Sequence, residues 1–323
     1  MTSRLVIAPN WIGDAVMSLP VLRALRRSHP GDRLAVLARS GPGAVYRAEG
    51  SADEVLGRGR FLPDARAARA GGFDEVWLLP NSFRAALLAL LSGAPRRLGY
   101  ATDRRGLLLT DALAPPPETA HQLRDYDALL RHAGVPPDTD PPALTVPPAA
   151  AERARAALSA ASVPESFVAA SAPRGFIGFV ALCPGSATAP EKRWPAARYA
   201  ALAGLLAKGG IPCAVAVGPS ERELARTVAA ACPVPLPVVG ADLDPVELAA
   251  VLALALAVAS NDSGPAHLAA AVGTPAVVFF GPTNPGRTAP VSVSTRAPVR
   301  VLERMEEVTA EEAARAVEEI RRP

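Results

Sequence analysis

Short apolar runs alternate with longer stretches of helical spacing along almost the whole chain. Residues 5–8, 34–38, 54–56, 75–79 and 97–100 read as strands, and 15–27, 44–49, 61–70 and 83–91 as the helices between them. The first helix carries Val16, Leu19, Leu22 and Leu25 on one face, with Pro20 expected to kink it or mark a restart. Proline-rich segments at 114–117 and 135–148 flank a helix at 121–132, and another helix follows at 149–161. Residues 162–175 read as a linker. A second alternation then begins, with strands at 177–182, 212–217, 236–239, 254–259, 276–280 and 300–302. Its helices fall at 195–207, 221–231 and 245–252, residues 281–290 form a loop, and 309–321 is a charged amphipathic helix with Ala313, Val317 and Ile320 inward. This rhythm predicts parallel sheets covered on both faces.

The expected architecture is α/β: two Rossmann-like, doubly wound parallel-sheet domains at 1–162 and 176–305, then a helix in 306–323. The length of 323 residues suits two cores better than one. Two such sheets facing each other would enclose a cleft at their carboxyl edges, where ligands of this architecture bind.

Composition narrows the reading. Half of the residues are hydrophobic and the net charge is only +3, which gives no argument for a nucleic-acid partner. Lys192 and Lys208 are the only lysines in an Arg-rich chain, so a lysine inside a candidate site stands out. Cys183, Cys213 and Cys232 lack CxxC spacing, which fits a reducing compartment and no thiolate metal site. The first residues run into a strand without a signal-peptide pattern, and the apolar run 248–260 is shorter than the ~20 residues of a membrane span. A cytoplasmic protein is expected.

Four loops carry candidate chemistry. In Ser260-Asn261-Asp262-Ser263-Gly264-Pro265-Ala266-His267, a strand end turns into a helix start. Asp262 or Ser263 can cap that helix, Gly264 admits close approach, and the open N–H groups with His267 can meet an anion. The same residues also fit an ordinary capped loop with a surface histidine. Gly13-Asp14 puts a carboxylate at another strand-to-helix turn, suited to proton removal from a hydroxyl; that loop alone fits a helix cap better. In the loop from Cys183 to Pro195, Gly185, Ser186 and Thr188 can bond phosphate oxygens and Lys192 can place an ammonium on a diphosphate. Glu221 or Glu223, after the next strand, can accept from ribose hydroxyls or simply suit a helix dipole. GxGxxG after a strand, GxxxxGK[ST], HExxH and GxSxG are all absent from the sequence.

Together these motifs resemble glycosyltransferase family 9, the ADP-heptose:lipopolysaccharide heptosyltransferases. Pro9-Asn10-Trp11-Ile12-Gly13-Asp14 with Ser18-Leu19-Pro20 resembles the family's N-terminal motif, and Leu79-Pro80-Asn81-Ser82-Phe83-Arg84 a segment of its heptosyltransferase II branch. Cys183-Pro184-Gly185 with Lys192-Arg193-Trp194-Pro195 resembles its donor-phosphate loop, and Asp262-Ser263-Gly264 with His267 its DxGxxH signature. The resemblance implies a GT-B fold whose last helix often crosses back to the first domain. It implies inverting, metal-independent heptose transfer from ADP-heptose, with no cofactor. Asp14 would be the base and Lys192 would stabilise the leaving diphosphate. Gly13, Gly185, Ser186, Thr188, Glu221 or Glu223, Asp262, Ser263, Gly264 and His267 would bind the donor. Asn81, Ser82, Arg84, Arg97 and Arg105 would meet an anionic glycolipid acceptor at the inner-membrane surface. The enzyme is expected to act as a monomer, with peripheral attachment to the cytoplasmic face of that membrane. Another acceptor or activated sugar, or a non-catalytic nucleotide-sugar binder on the same fold, remains an alternative reading.

Overall fold

The computed structural model describes residues 1–115, 119–167, 178–187 and 189–321. These divide into two compact units, Met1–Pro142 and Ala143–Pro323. The first unit runs β1 (Ser3–Ile7), α1 (Ile12–Ser28), β2 (Arg33–Ala38), α2 (Ser40–Glu49), β3 (Glu54–Gly57), α3 (Phe61–Ala70), β4 (Glu75–Leu78), α4 (Phe83–Leu91), β5 (Arg96–Tyr100), β6 (Asp111–Leu113) and α5 (Gln122–His132). Its sheet has the order β3-β2-β1-β4-β5-β6 with every pairing parallel. The central strands are apolar on both faces because helices cover both: Leu5, Val6 and Ile7 of β1 are fully buried beside Val36 and Val76. Leu5, Ile7, Leu37 and Leu78 pack with Ala68 of α3 and Ala85 and Leu88 of α4 in one core.

Pro20 neither ends α1 nor restarts it; the helix is continuous from Ile12 to Ser28. Residues Ala15 to Leu22 are all buried, and the helix packs on α2 and α5. That packing outweighs the one backbone hydrogen bond that the proline removes.

The second unit runs α6 (Pro148–Ala160), β7 (Val180–Cys183), α7 (Ala196–Lys208), β8 (Cys213–Ala216), α8 (Arg222–Ala231), β9 (Val238–Val239), α9 (Pro245–Ala253), β10 (Ala257–Asn261), α10 (Gly264–Ala271), β11 (Ala276–Phe279), α11 (Pro285–Thr288), β12 (Val299–Leu302) and α12 (Ala310–Ile320). The sheet order is β12-β11-β10-β7-β8-β9, again all parallel. Counted from its own first strand, it repeats the order of the first sheet. Trp194 stacks on Phe279 with ring centroids 4.3 Å apart, and Tyr199 meets Trp194 edge-on at 5.0 Å. These rings anchor the second core beneath the loop that carries Lys192.

Several expectations change. The division falls after Pro142 rather than near residue 162. Leu144 N donates to Ala271 O at 3.0 Å, and α6 then packs on α9, so this segment belongs to the second unit. The last helix spends its buried face within the second unit: Ala313, Val317 and Ile320 join that core, against α7 and β11. β6 falls in residues to which the sequence pattern assigned no element, and α11 lies inside the expected loop 281–290. Residues 168–177 of the expected linker and strand start lie outside the described residues.

Candidate functional site

In a doubly wound sheet, the crossing helices leave to opposite faces at the point where strand order reverses, and a crevice opens there at the carboxyl ends. That point lies between β1 and β4 in the first unit and between β7 and β10 in the second. The four loops leaving these four strands are the segments that carry Asp14, Asn81, Lys192 and Asp262. Each unit therefore has its own candidate site.

In the first unit, Trp11 is the residue that caps α1, without a side-chain bond, and Asp14 sits three residues in. The N-cap role that the loop suggested for Asp14 is thus taken by another residue. Gly13 is buried and Asp14 half-buried, in the first turn where a carboxylate suits the helix dipole. Gln122 Nε2, from α5, donates to Asp14 Oδ1 at 3.3 Å and to the Tyr126 hydroxyl at 2.9 Å. Ser18 and Tyr46 hydroxyls pair at 2.6 Å on the same side of α1. Burial pushes both phenols, Tyr46 and Tyr126, above the usual tyrosine range, and the charge of Asp14 adds to the rise. They stay neutral.

The loop from Leu79 to Ser82 is fixed from behind by Arg105. This guanidinium is fully buried, donates to Pro80 O, to Tyr100 O at 2.7 Å, to Ser82 O at 3.2 Å and to Asn81 Oδ1 at 3.0 Å. Burial holds its pKa down to about 10. Arg105 is a strut of the loop rather than an acceptor contact, because it is buried and four of its five N–H groups bond the protein. Arg97 likewise donates to Leu108 O at 2.8 Å and Ala94 O at 2.7 Å. Ser82 caps α4, accepting from Ala85 N at 3.3 Å. Asn81 and Arg84 are exposed; Arg84 lies over the Phe61 ring at 5.1 Å and within 3.9 Å of Asp64. Arg58, which the sequence did not single out, reaches the same edge and donates to Ala8 O at 2.9 Å. Burial, then the charge of Arg84, pulls its pKa down.

In the second unit, Asn261 ties the two loops together. Its Nδ2 donates to Pro184 O at 2.7 Å and Gly185 O at 3.3 Å, while Oδ1 accepts from Trp194 N at 2.9 Å and the Tyr199 hydroxyl at 3.1 Å. Lys192 Nζ then bonds Asp262 Oδ2 at 2.8 Å, across 70 residues of sequence. Thr283 Oγ1 donates to the same oxygen at 2.7 Å. Asp262 is therefore engaged sideways and does not cap α10; Ser263 occupies the cap position with extended backbone and no side-chain cap bond. Gly264 opens the helix, with Pro265 next and His267 buried one turn in. Arg193 donates to Ser186 O at 3.1 and 2.8 Å, closing the loop.

Glu221 and Glu223 part company. The Glu221 carboxylate lies against Gly185, where an added Cβ would come within 2.1 Å of Oε1. It accepts from Gly218 N at 3.3 Å, and burial raises its pKa despite that bond and Arg193. Glu223 points to solvent and pairs only locally with Arg226 at 3.3 Å, so it stands apart from the other donor-loop residues. Thr188 lies outside the described residues. An apolar cavity of 520 Å³ lined by Phe179, Pro212 and Pro237 lies at the opposite, amino edge of the second sheet, away from these polar groups. Among the described residues, no three or more His, Cys, Asp or Glu side chains gather as a metal site would, and no helix is long and apolar enough to cross a membrane.

A family model for glycosyltransferase family 9 (heptosyltransferase) matches residues 64–317. The lipopolysaccharide heptosyltransferase 2 of Salmonella typhimurium is 30% identical over 309 residues, covering 90% of this chain and 86% of that protein. The lipooligosaccharide heptosyltransferase 2 of Haemophilus influenzae is 29% identical over 300 residues, covering 89% and 86%. The solved structure of the Escherichia coli ADP-heptose lps heptosyltransferase II superposes with a TM-score of 0.83 at 24% identity, over 99% of this chain and 98% of that one. Two parallel six-stranded sheets of the same order, in a fold shared with that enzyme, make this a GT-B protein. The chain belongs to glycosyltransferase family 9, the heptosyltransferases, and is a glycosyltransferase.

Proposed function

We propose that the chain moves L-glycero-D-manno-heptose from ADP-heptose to the lipopolysaccharide inner core, as a heptosyltransferase II-like enzyme, with inversion and without a metal ion. The observation that carries this reading is the Lys192–Asp262 pair at the strand-order reversal of the second sheet, beside the opening turn of α10. An ammonium and a helix N-terminus suit the two negative phosphates of a sugar nucleotide. Glu221, next to Gly185, is the carboxylate of the two candidates that supports a ribose contact. Asp14 takes the proton of the acceptor hydroxyl as its oxygen bonds the anomeric carbon. The bond from that carbon to the phosphate oxygen breaks on the opposite face, and Lys192 meets the charge left on the diphosphate. The exposed Arg84, with Asn81, Arg58 and Arg104 at the same sheet edge, supports an anionic acceptor held at the cytoplasmic face of the inner membrane.

Calorimetric titration with ADP, UDP and GDP in EDTA, followed by transfer assays of Asp14→Ala, tests the reading. ADP should bind tightest, and Asp14→Ala should cut transfer by ~10³-fold or more with ADP affinity unchanged. Preference for UDP or GDP would end the ADP-heptose assignment, and an active variant would remove Asp14 as the base.

A further inference from the structure

Asp262 is 5% exposed, and one of its oxygens carries two donors, the Lys192 ammonium at 2.8 Å and the Thr283 hydroxyl at 2.7 Å. Thr283 lies on the turn between β11 and α11. That turn is fixed at both ends. β11 pairs with β10, Asp262 N donates to Phe279 O at 3.1 Å, and Asn284 caps α11 by accepting from Gly286 N at 2.9 Å. No sequence motif singled out this threonine.

The pair poses a physical problem for donor binding. Lys192 is held by Asp262. A diphosphate draws the ammonium's charge toward itself, and a buried carboxylate that loses part of its cation is strongly disfavoured unless other donors remain. We infer that Thr283 is a positioning residue for the donor diphosphate: its hydroxyl keeps Asp262 satisfied while Lys192 turns to the phosphates. This rests on the reading that Lys192 binds the diphosphate. The hydroxyl donates one strong bond, carries no charge and does not compete for the phosphate, so it lowers the cost of the exchange without opposing it.

The test is calorimetric titration of the full chain with ADP for Thr283→Val, Thr283→Ser, Lys192→Met and the double variant Thr283→Val with Lys192→Met. Thermal unfolding serves as the control for folding. Thr283→Val should weaken ADP roughly tenfold, the worth of one hydrogen bond to a charged group. Thr283→Ser, which keeps the hydroxyl, should stay within about threefold of the wild type. In the Lys192→Met background, Asp262 has no cation to give up, so adding Thr283→Val should cost less than about twofold further. A Thr283→Val chain that binds ADP as the wild type does overturns the inference, as does a serine variant as weak as valine. An equal penalty in both backgrounds also overturns it, since that is the mark of a threonine that merely shapes the loop. If Lys192→Met binds ADP undiminished, the reading of Lys192 falls first and the inference with it. If Lys192→Met is weakened while Thr283→Val is silent, the inference alone fails.

Discussion

Glu221 is buried to 9% exposure against Gly185, with one backbone donor and Arg193 nearby, and its carboxyl sits above the ordinary value near 4.5. Desolvation is the largest cause. As pH rises from that ordinary value toward the raised one, the folded chain keeps a proton that the unfolded chain has released. Stability therefore falls across this window and stays lower above it. Glu221→Gln removes the penalty: the variant should gain stability over the wild type at pH 7, and the gain should vanish near pH 4. The same change should weaken ADP about tenfold, because an amide accepts from ribose hydroxyls without the charge. Denaturant unfolding at the two pH values decides it, and a difference between the proteins that ignores pH would show that burial does not strain this group. The sequence offered Glu221 and Glu223 as equals two positions apart, since nothing in a helix start distinguishes a carboxylate under a glycine from one in solvent. Arg105 was illegible for a similar reason. Its four acceptors come from two separate segments, and only the fold brings Pro80, Asn81 and Ser82 together with Tyr100 around one guanidinium.

Helix α12 shows how an element far from a site can carry it. Thr309 caps it, accepting from Glu312 N at 3.2 Å, and Glu311 and Glu312 sit in its first turn, where they suit the dipole. Its inner face adds Val317, Ile320 and four alanines to the core that underlies β10 and β11, the strands leading to Asp262 and Thr283. Burying Val317 and Ile320 alone is worth roughly 3–6 kcal/mol, against a whole-domain stability of about 5–15 kcal/mol. Deleting residues 310–323 should therefore unfold the second unit and abolish ADP binding, read by loss of the calorimetric signal and of cooperative unfolding. A truncated chain with wild-type ADP affinity would show that the donor loops stand without the helix. The inward positions of α12 were legible because an isolated 3.6-residue period names its own face; which surface that face covers was not, since periodicity carries no address. Most strands were legible for the same kind of reason, as buried parallel strands read as unbroken apolar runs. β6 escaped because Asp111-Ala112-Leu113 is a short edge strand that pairs on one side only, with nothing in its residues but position to mark it.

At the scale of the whole molecule, one strand order is used twice, and each copy keeps its own core. The cluster around Leu5, Ile7 and Leu78 draws only on residues before Pro142, and the cluster around Trp194, Phe279 and Val317 only on residues after it. Among the described residues, the hydrogen bonds that shape the Lys192 loop close within the second unit: Asn261 to Pro184, Lys192 and Thr283 to Asp262, Arg193 to Ser186. A unit with its own six-stranded sheet and donor loops bonded within it meets the physical conditions for folding alone. Residues 143–323, expressed by themselves, should unfold cooperatively and bind ADP within about threefold of the full chain, because the proposed nucleotide contacts come from this unit. They should show no transfer, since Asp14 is missing. A fragment that folds but binds ADP far more weakly would assign part of the nucleotide's binding energy to the first unit, and the division of labour between donor and acceptor halves would have to be redrawn around that shared contact.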